Sequence, residues 1–211
     1  MTHTPDDYHS TAPIYDLILS LPLRPIRKAI HTFVRRQGHQ HILDICCGTG
    51  EQLRRLHGPE MELTGIDLSP AMLAQARKKS PAPIAYLEMD GTRMDFGAKR
   101  FDCAIISFAL HEKSRQIHDQ IFTKAMEVIR PDGHLLLCDF CRVGTGPLAR
   151  FFGHSLIPMV EKHAGEEHFS NYQQWMRSGA LEGFCGRHGL PVKRLGSHFG
   201  GCVQLISIIK K

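Results

Sequence analysis

The 211-residue sequence contains no apolar run approaching the ~18 residues that cross a bilayer, and its start, MTHTPDDYHS, is polar and lacks a signal-peptide core. A helical membrane span is thereby excluded, and a cytoplasmic location is expected. The sequence also lacks a basic helix or a stretch of interleaved aromatic and basic residues. Its net charge of +5 is spread over short pairs such as Arg35-Arg36, Arg54-Arg55, Lys78-Lys79 and Lys210-Lys211. Such pairs read as solvated faces, so nucleic acid is not an expected partner. No internal repeat, low-complexity run or linker interrupts the chain, and 42% apolar content is enough to bury a core. A single domain over residues 1–211 follows.

Cysteine is present but unpaired in pattern. Seven are dispersed in apolar or strand-like contexts, which predicts reduced thiols. Cys138-Asp139-Phe140-Cys141 satisfies C-x-x-C, yet no second such pair completes a zinc set. His163 and His168 are five apart and do not share a helical face. No metal is predicted.

What is present is an ordered series of strand and helix signals. His41 to Glu51, HILDICCGTGE, is an apolar run closing on Asp44 and breaking into Gly48-Thr49-Gly50. It reads as a buried strand, a glycine turn and a helix, the junction at which an open α/β sheet presents backbone amides to a nucleotide-like ligand. A second strand, LTGIDLS, ends on Asp67, seventeen residues after Gly50. A carboxylate there suits the hydroxyls of a ribose. G-x-G-x-x-G is incomplete, because Arg54-Arg55 stands where a third glycine would be needed, so a pyrophosphate ligand is disfavoured.

LDICCGTG resembles motif I of the class I S-adenosylmethionine (SAM) dependent methyltransferases, with Cys46 standing for the first glycine and Gly48 and Gly50 retained. IDLSPAMLAQAR is similar to the family's strand-two acid and following helix, and EVIRPDGHLLLCDF to its later Pro-Asp-Gly signature. The resemblance implies a doubly wound α/β domain of seven mostly parallel strands, ordered 3-2-1-4-5-7-6, the last antiparallel. It also implies SAM as cofactor, S-adenosylhomocysteine as product, and a set of cofactor contacts. These are Tyr15 in a helical lid over residues 8–38 that breaks at Pro22 and Pro25, Asp44, Cys46, Gly48 and Gly50 in the loop, and Asp67 at the ribose. Leu68 and Met72 would flank the adenine, Asp90 with Gly91 would take its exocyclic amine, and Ser107 would close the tip of the fourth strand.

His111 lies just beyond that tip, at the topological switch point. An imidazole titrating near neutrality suits a base for a phenol or enol acceptor, and a packing role is the alternative. Residues 144–179 interrupt the helix and strand alternation and resemble the insertion of the ubiquinone and menaquinone biosynthesis C-methyltransferases, with Tyr172, Trp175 and Ser178 at matching spacing. They read as a substrate cap, Phe151, Tyr172 and Trp175 lining it, or as ordinary core closure. The expected activity is methyl transfer to a small or lipophilic acceptor, a quinol-like ring foremost, with transient contact to a membrane surface. Amine or phospholipid N-methylation, and SAM binding without catalysis, are the alternatives.

Overall fold

The computed structural model describes residues 12–211 other than 82 and 143, with side chains from Ser20 onward. Seven strands form one sheet: β1 His41–Ile45, β2 Glu62–Asp67, β3 Ile84–Glu88, β4 Phe101–Ser107, β5 Ile129–Phe140, β6 Val192–His198 and β7 Val203–Ile209. Their order is β3-β2-β1-β4-β5-β7-β6. β7 runs antiparallel to both β5 and β6, while the neighbouring pairs from β3 through β5 are parallel. The predicted topology is the observed one. The central strands are covered on both faces, which is why Ile42, Leu43, Ala104, Ile105, Leu135, Leu136 and Leu137 form continuous apolar runs without exposed surface. β6 forms an edge, and it carries Lys193 and Arg194, charges that discourage pairing with another chain.

Helices α1 Ala12–Gln37, α2 Glu51–Leu56, α3 Pro70–Lys79 and α4 Arg115–Val128 accompany the parallel half. α3 starts where its sequence dictates. The Ser69 hydroxyl accepts from the Met72 amide at 3.2 Å, and Pro70 occupies the first turn, where its missing N–H is not needed.

Two local expectations are corrected. α1 does not break at Pro22 and Pro25 but runs through both. An interior proline costs about 3 kcal/mol, whereas each buried aliphatic or aromatic side chain returns about 1.5–3 kcal/mol. Leu23, Ile26, Ile30, Phe33 and Val34 are all buried in the core on this helix, so packing outweighs the two missing donors. Arg130-Pro131-Asp132-Gly133, a turn signal in sequence that would precede the fifth strand, is instead a bulge inside it. The β4 partners step from Ile129 to His134, and Asp132 takes a positive φ of 61°.

Residues 144–179 fold as three helices, α5 Pro147–Phe151, α6 Ile157–His163 and α7 Glu166–Arg177, with a π-helical turn over Phe152–Leu156 between the first two. α8 Ala180–Arg187 leads back to the sheet. Leu148, Phe151, Leu156, Met159 and Val160 remain exposed on this segment. No described helix is long and apolar enough to cross a membrane.

Candidate active site

The parallel strands present their carboxyl ends together, so Ile45, Asp67, Ser107 and Phe140 mark one rim of the sheet. On the β1–β2 side the chain turns at Cys46 to Gly50. Gly48 and Gly50 have positive φ, 53° and 71°, and Cys46 adopts 59°, a conformation that costs any residue with a Cβ. A Cβ on Gly50 would stand 2.2 Å from the Tyr86 hydroxyl, so glycine is required there by space as well as by backbone. Asp67 pins the loop from the next strand. Its Oδ2 accepts from the Gly48 amide at 2.8 Å and its Oδ1 from the Ser69 amide at 2.9 Å.

This end of the site is acidic and dry. Burial pushes the Asp67 carboxyl above its ordinary range, against the pull of the two amides. Burial, and then the charge of Asp67, push Asp44 up to about 8, with only partial relief from Arg27. A buried and a half-buried carboxyl at adjoining strand tips favour a ligand carrying positive charge. Glu51, at the start of α2, already has two cationic partners. Arg27 lies 2.8 Å from one of its oxygens and Arg55 2.7 Å from the other, while Ser20 donates to it at 2.9 Å. It fastens α1 to α2.

The other predicted contacts are distributed unevenly. Leu68 stands half-exposed beside Asp67, whereas Met72 is buried. The Asp90 Oδ1 accepts from both the amide and the hydroxyl of Thr92 at 2.8 Å, the turn its Asp-Gly sequence also predicts. Gly91 packs against Ile45, and Ser107 ends β4 half-buried. Tyr15 falls in α1 outside the residues whose side chains are described.

On the β4–β5 side the centre is His111, buried in the loop after β4. Its Nδ1 lies 2.7 Å from Asp139 Oδ1 at the end of β5, and its Nε2 lies 3.3 Å from Glu161 of α6. Burial opposes the imidazolium charge, but the charges and hydrogen bonds of Asp139 and Glu161 together outweigh it and raise His111 to about 10. Asp139 also accepts from the Leu110 amide at 3.0 Å and from the Phe140 amide at 2.7 Å, so the carboxylate is fixed by backbone. His168 of α7 approaches the same Glu161 oxygen at 2.6 Å. Burial works to raise Glu161, yet the two histidines hold it down at about 2. The side chain of Asn171 donates to the Glu112 carbonyl at 2.9 Å, tying α7 to the loop.

Sequence reasoning missed Asp139, Glu161 and Lys113, and it set His168 aside as a ligand after weighing it only with His163. Lys113 is held charged by Glu112 against the cost of burial, and its charge is felt at Cys46 and Asp67, so the loop carrying His111 also reaches the acidic end. The H-E-K run was the available signal for it. Glu161 and His168 sit on different helices, seven residues apart, with no spacing rule to join them. Of the three residues expected to line an acceptor, Phe151 is exposed and Tyr172 is buried near His111, with ring centroids 6.4 Å apart. Trp175 is 1% exposed, donates its indole N–H to the Phe140 carbonyl at 3.0 Å and packs on His118 and Phe184. That position is core, and the structure gives it no surface an acceptor can touch. All seven cysteines are free, and the Cys138 and Cys141 thiols are both buried.

The sequence matches the family model described as "Methyltransferase domain" over residues 42–133. It is 28% identical over 169 residues to the ubiquinone/menaquinone biosynthesis C-methyltransferase of Pasteurella multocida, covering 72% of this chain and 62% of that protein. The chain thus spans less than two thirds of that relative's length. Among solved structures, a SAM-dependent methyltransferase from Thermotoga maritima matches with a TM-score of 0.68 at 16% identity, over 99% of this chain and 100% of that one. The magnesium protoporphyrin IX methyltransferase of Synechocystis, with bound SAM, matches with a TM-score of 0.66 at 11% identity, over 98% and 95%.

Proposed function

This chain belongs to the class I SAM-dependent methyltransferases, and from that premise we propose that it moves the SAM methyl group to a small or lipophilic acceptor seated between the β4–β5 rim and the α5–α7 cap. The observation that carries the reading is the Asp44 and Asp67 pair around a glycine loop. SAM supplies an electrophilic methyl on a sulfonium, together with an ammonium and a ribose. Asp44 and the carbonyls of the Cys46 to Gly50 loop suit the ammonium. Asp67 suits the ribose hydroxyls even with two amides already bound, because each carboxylate oxygen retains a second lone pair. Half-exposed Leu68 offers an apolar face for the adenine, and Asp90 an acceptor for its amine.

The remaining work is positioning and exclusion of water, since an in-line displacement needs little more. Asp139 orients His111, and the cap covers it. For an oxygen or ring-carbon acceptor, His111, which Asp139 and Glu161 hold as an imidazolium, acts as the base once its Nε2 proton has left to solvent and Nε2 is released from Glu161. The exposed apolar face of α5 and α6 supports a quinol-like, lipophilic acceptor and a brief contact with a membrane surface. A second reading is favoured by the carboxylates of Glu112, Asp139 and Glu161 clustered at the same place. They suit an amine that arrives as the ammonium and sheds one proton to a carboxylate before its lone pair attacks the methyl, so His111 is not required.

Calorimetry with SAM and with S-adenosylhomocysteine tests the first step. Wild type should bind both, and Asp67→Ala should bind at least about tenfold more weakly, since hydrogen bonds to a charged group are worth about 1.5–3 kcal/mol. Undiminished affinity in the variant, or none in wild type, sinks the proposal. A panel of quinol and amine acceptors with His111→Ala then separates the two readings, since only the quinol reaction should collapse. Tight SAM binding without transfer to any acceptor would instead mark a binding protein.

A further inference from the structure

We propose that His111, Glu161 and His168 form a binding site for one divalent transition-metal ion of the zinc class, with Asp139 and Glu112 as its outer carboxylates. Three elements converge to make it: the loop after β4, α6 and α7. The Nε2 atoms of His111 and His168 both face Oε2 of Glu161, at 3.3 and 2.6 Å. One donor atom from each of the three residues fits within a sphere of mutual distances below 4.8 Å, and among the described residues no other group of three does so. The two rings meet edge to face, with centroids 5.6 Å apart and planes at 70°, so they fan around the point where their Nε2 atoms aim.

The outer partners separate a metal site from a mere ion pair. A ligating histidine needs its other nitrogen fixed by a carboxylate or carbonyl, which sets the tautomer and strengthens the donor. His111 has that arrangement, and His168 has a carboxylate behind its ring at ion-pair distance, close enough to turn into a hydrogen bond on ligation. His111 Nδ1 is 2.7 Å from Asp139, itself held by backbone amides, and His168 Nδ1 is 3.6 Å from Glu112. Glu161 bridging two imidazolium rings would explain the inner contacts, but not a separate carboxylate behind each ring. With both imidazoles neutral, as ligation requires, the three carboxylates less the charge of Lys113 on Glu112 leave an excess of negative charge that a dication would balance. Two nitrogen donors and one oxygen favour zinc-like ions over magnesium or calcium, which take oxygen ligands. Coordination uses both Nε2 lone pairs, so protons held there leave to solvent on binding. Metal on Nε2 also removes the lone pair a base would need, so the two roles of His111 exclude each other. The site does not depend on methyl transfer, and a chain that bound no SAM would still bind the ion.

The full chain, stripped with a chelator, should take up one equivalent of zinc in competition with a chromophoric chelator, with a rise in melting temperature. Cobalt(II) should give visible bands of a nitrogen and oxygen site without a thiolate charge-transfer band. Glu161→Gln and His168→Gln should abolish stoichiometric uptake. Glu112→Gln should weaken it about tenfold, as loss of an outer partner does. Millimolar magnesium should not compete. The proposal is overturned if wild type takes up no zinc, if uptake survives both inner substitutions, or if cobalt reports thiolate ligation by the buried cysteines. Should an inner variant fail to fold, the wild-type stoichiometry and cobalt spectrum still decide.

Discussion

The two ends of the strand rim are built differently. At the β1–β2 end the parts are contiguous in sequence: a strand, a loop of two glycines, a helix, and one carboxylate from the neighbouring strand that pins the loop by its backbone. At the β4–β5 end the parts are four side chains from four elements, Asp139, His111, Glu161 and His168, and the contacts span up to 50 residues. The first end is specified by backbone conformation and the second by packing. A substitution at the first should therefore act on binding through the loop, and one at the second should act on stability through the cap.

The sharpest break of that division is Trp175→Ala. A fully buried tryptophan replaced by alanine costs about 3–5 kcal/mol, so the melting temperature should fall by on the order of 10 °C, as expected of a domain this size. SAM affinity at temperatures where the variant is folded should hold. If acceptor KM rises while thermal unfolding is unchanged, Trp175 lines the acceptor after all and the cap is a binding element first. Gly50→Ala comes next. The left-handed φ costs about 1–2 kcal/mol, and the new methyl would press on the Tyr86 ring. Calorimetry should show SAM affinity lowered by more than tenfold. Adding Tyr86→Ala should return the part due to the clash and leave the part due to backbone.

These contrasts explain what could be read in advance. The strand order, the antiparallel β7 and the loop with Asp44, Gly48, Gly50 and Asp67 were legible because each follows from local period, glycine position or resemblance along one stretch. The continuity of α1 through Pro22 and Pro25 was not, because burial of Leu23 to Val34 overrode a local rule. Trp175 could be read as core or as cap, since an aromatic in an amphipathic helix has the same spacing in both. The pairing of Glu161 with His168 was invisible because they meet only after α6 and α7 pack together.

The acidic end makes a pH prediction of about 1.4 kcal/mol. Asp44 is raised from 3.8 to about 8 by burial and Asp67. The folded state thus binds a proton that the unfolded state has lost, and stability contributed by this group falls as pH rises from about 4 to about 8. A cationic ligand reverses the preference, because it selects the ionised carboxyl. At pH 7 a group titrating near 8 is ionised in about a tenth of molecules, which is about 1.4 kcal/mol or a tenfold loss of affinity. Wild-type SAM affinity should therefore climb between pH 6 and 8 relative to Asp44→Asn, the comparison cancelling the ligand's own titration. Parallel pH curves for the two proteins would remove Asp44 from the ligand contacts and leave the binding end resting on Asp67 alone.

The smallest effect tests the loop's one exception. Cys46 occupies the place the family's motif gives to glycine, and the structure confirms why glycine is usual there, since φ is 59°. Cys46→Gly removes a left-handed strain of about 1–2 kcal/mol but adds about 0.5–1 kcal/mol of unfolded-chain entropy and uncovers the thiol's half-buried contacts. The net gain should be at most about 1 kcal/mol, a melting temperature higher by about 2–4 °C, with SAM affinity unchanged because the amides of Gly48 and Gly50 keep their positions. A fall in melting temperature would mean that the thiol contributes more by packing than its backbone costs. In that case the cysteine is held there by its side chain, and the binding end, like the cap, would be specified in part by packing.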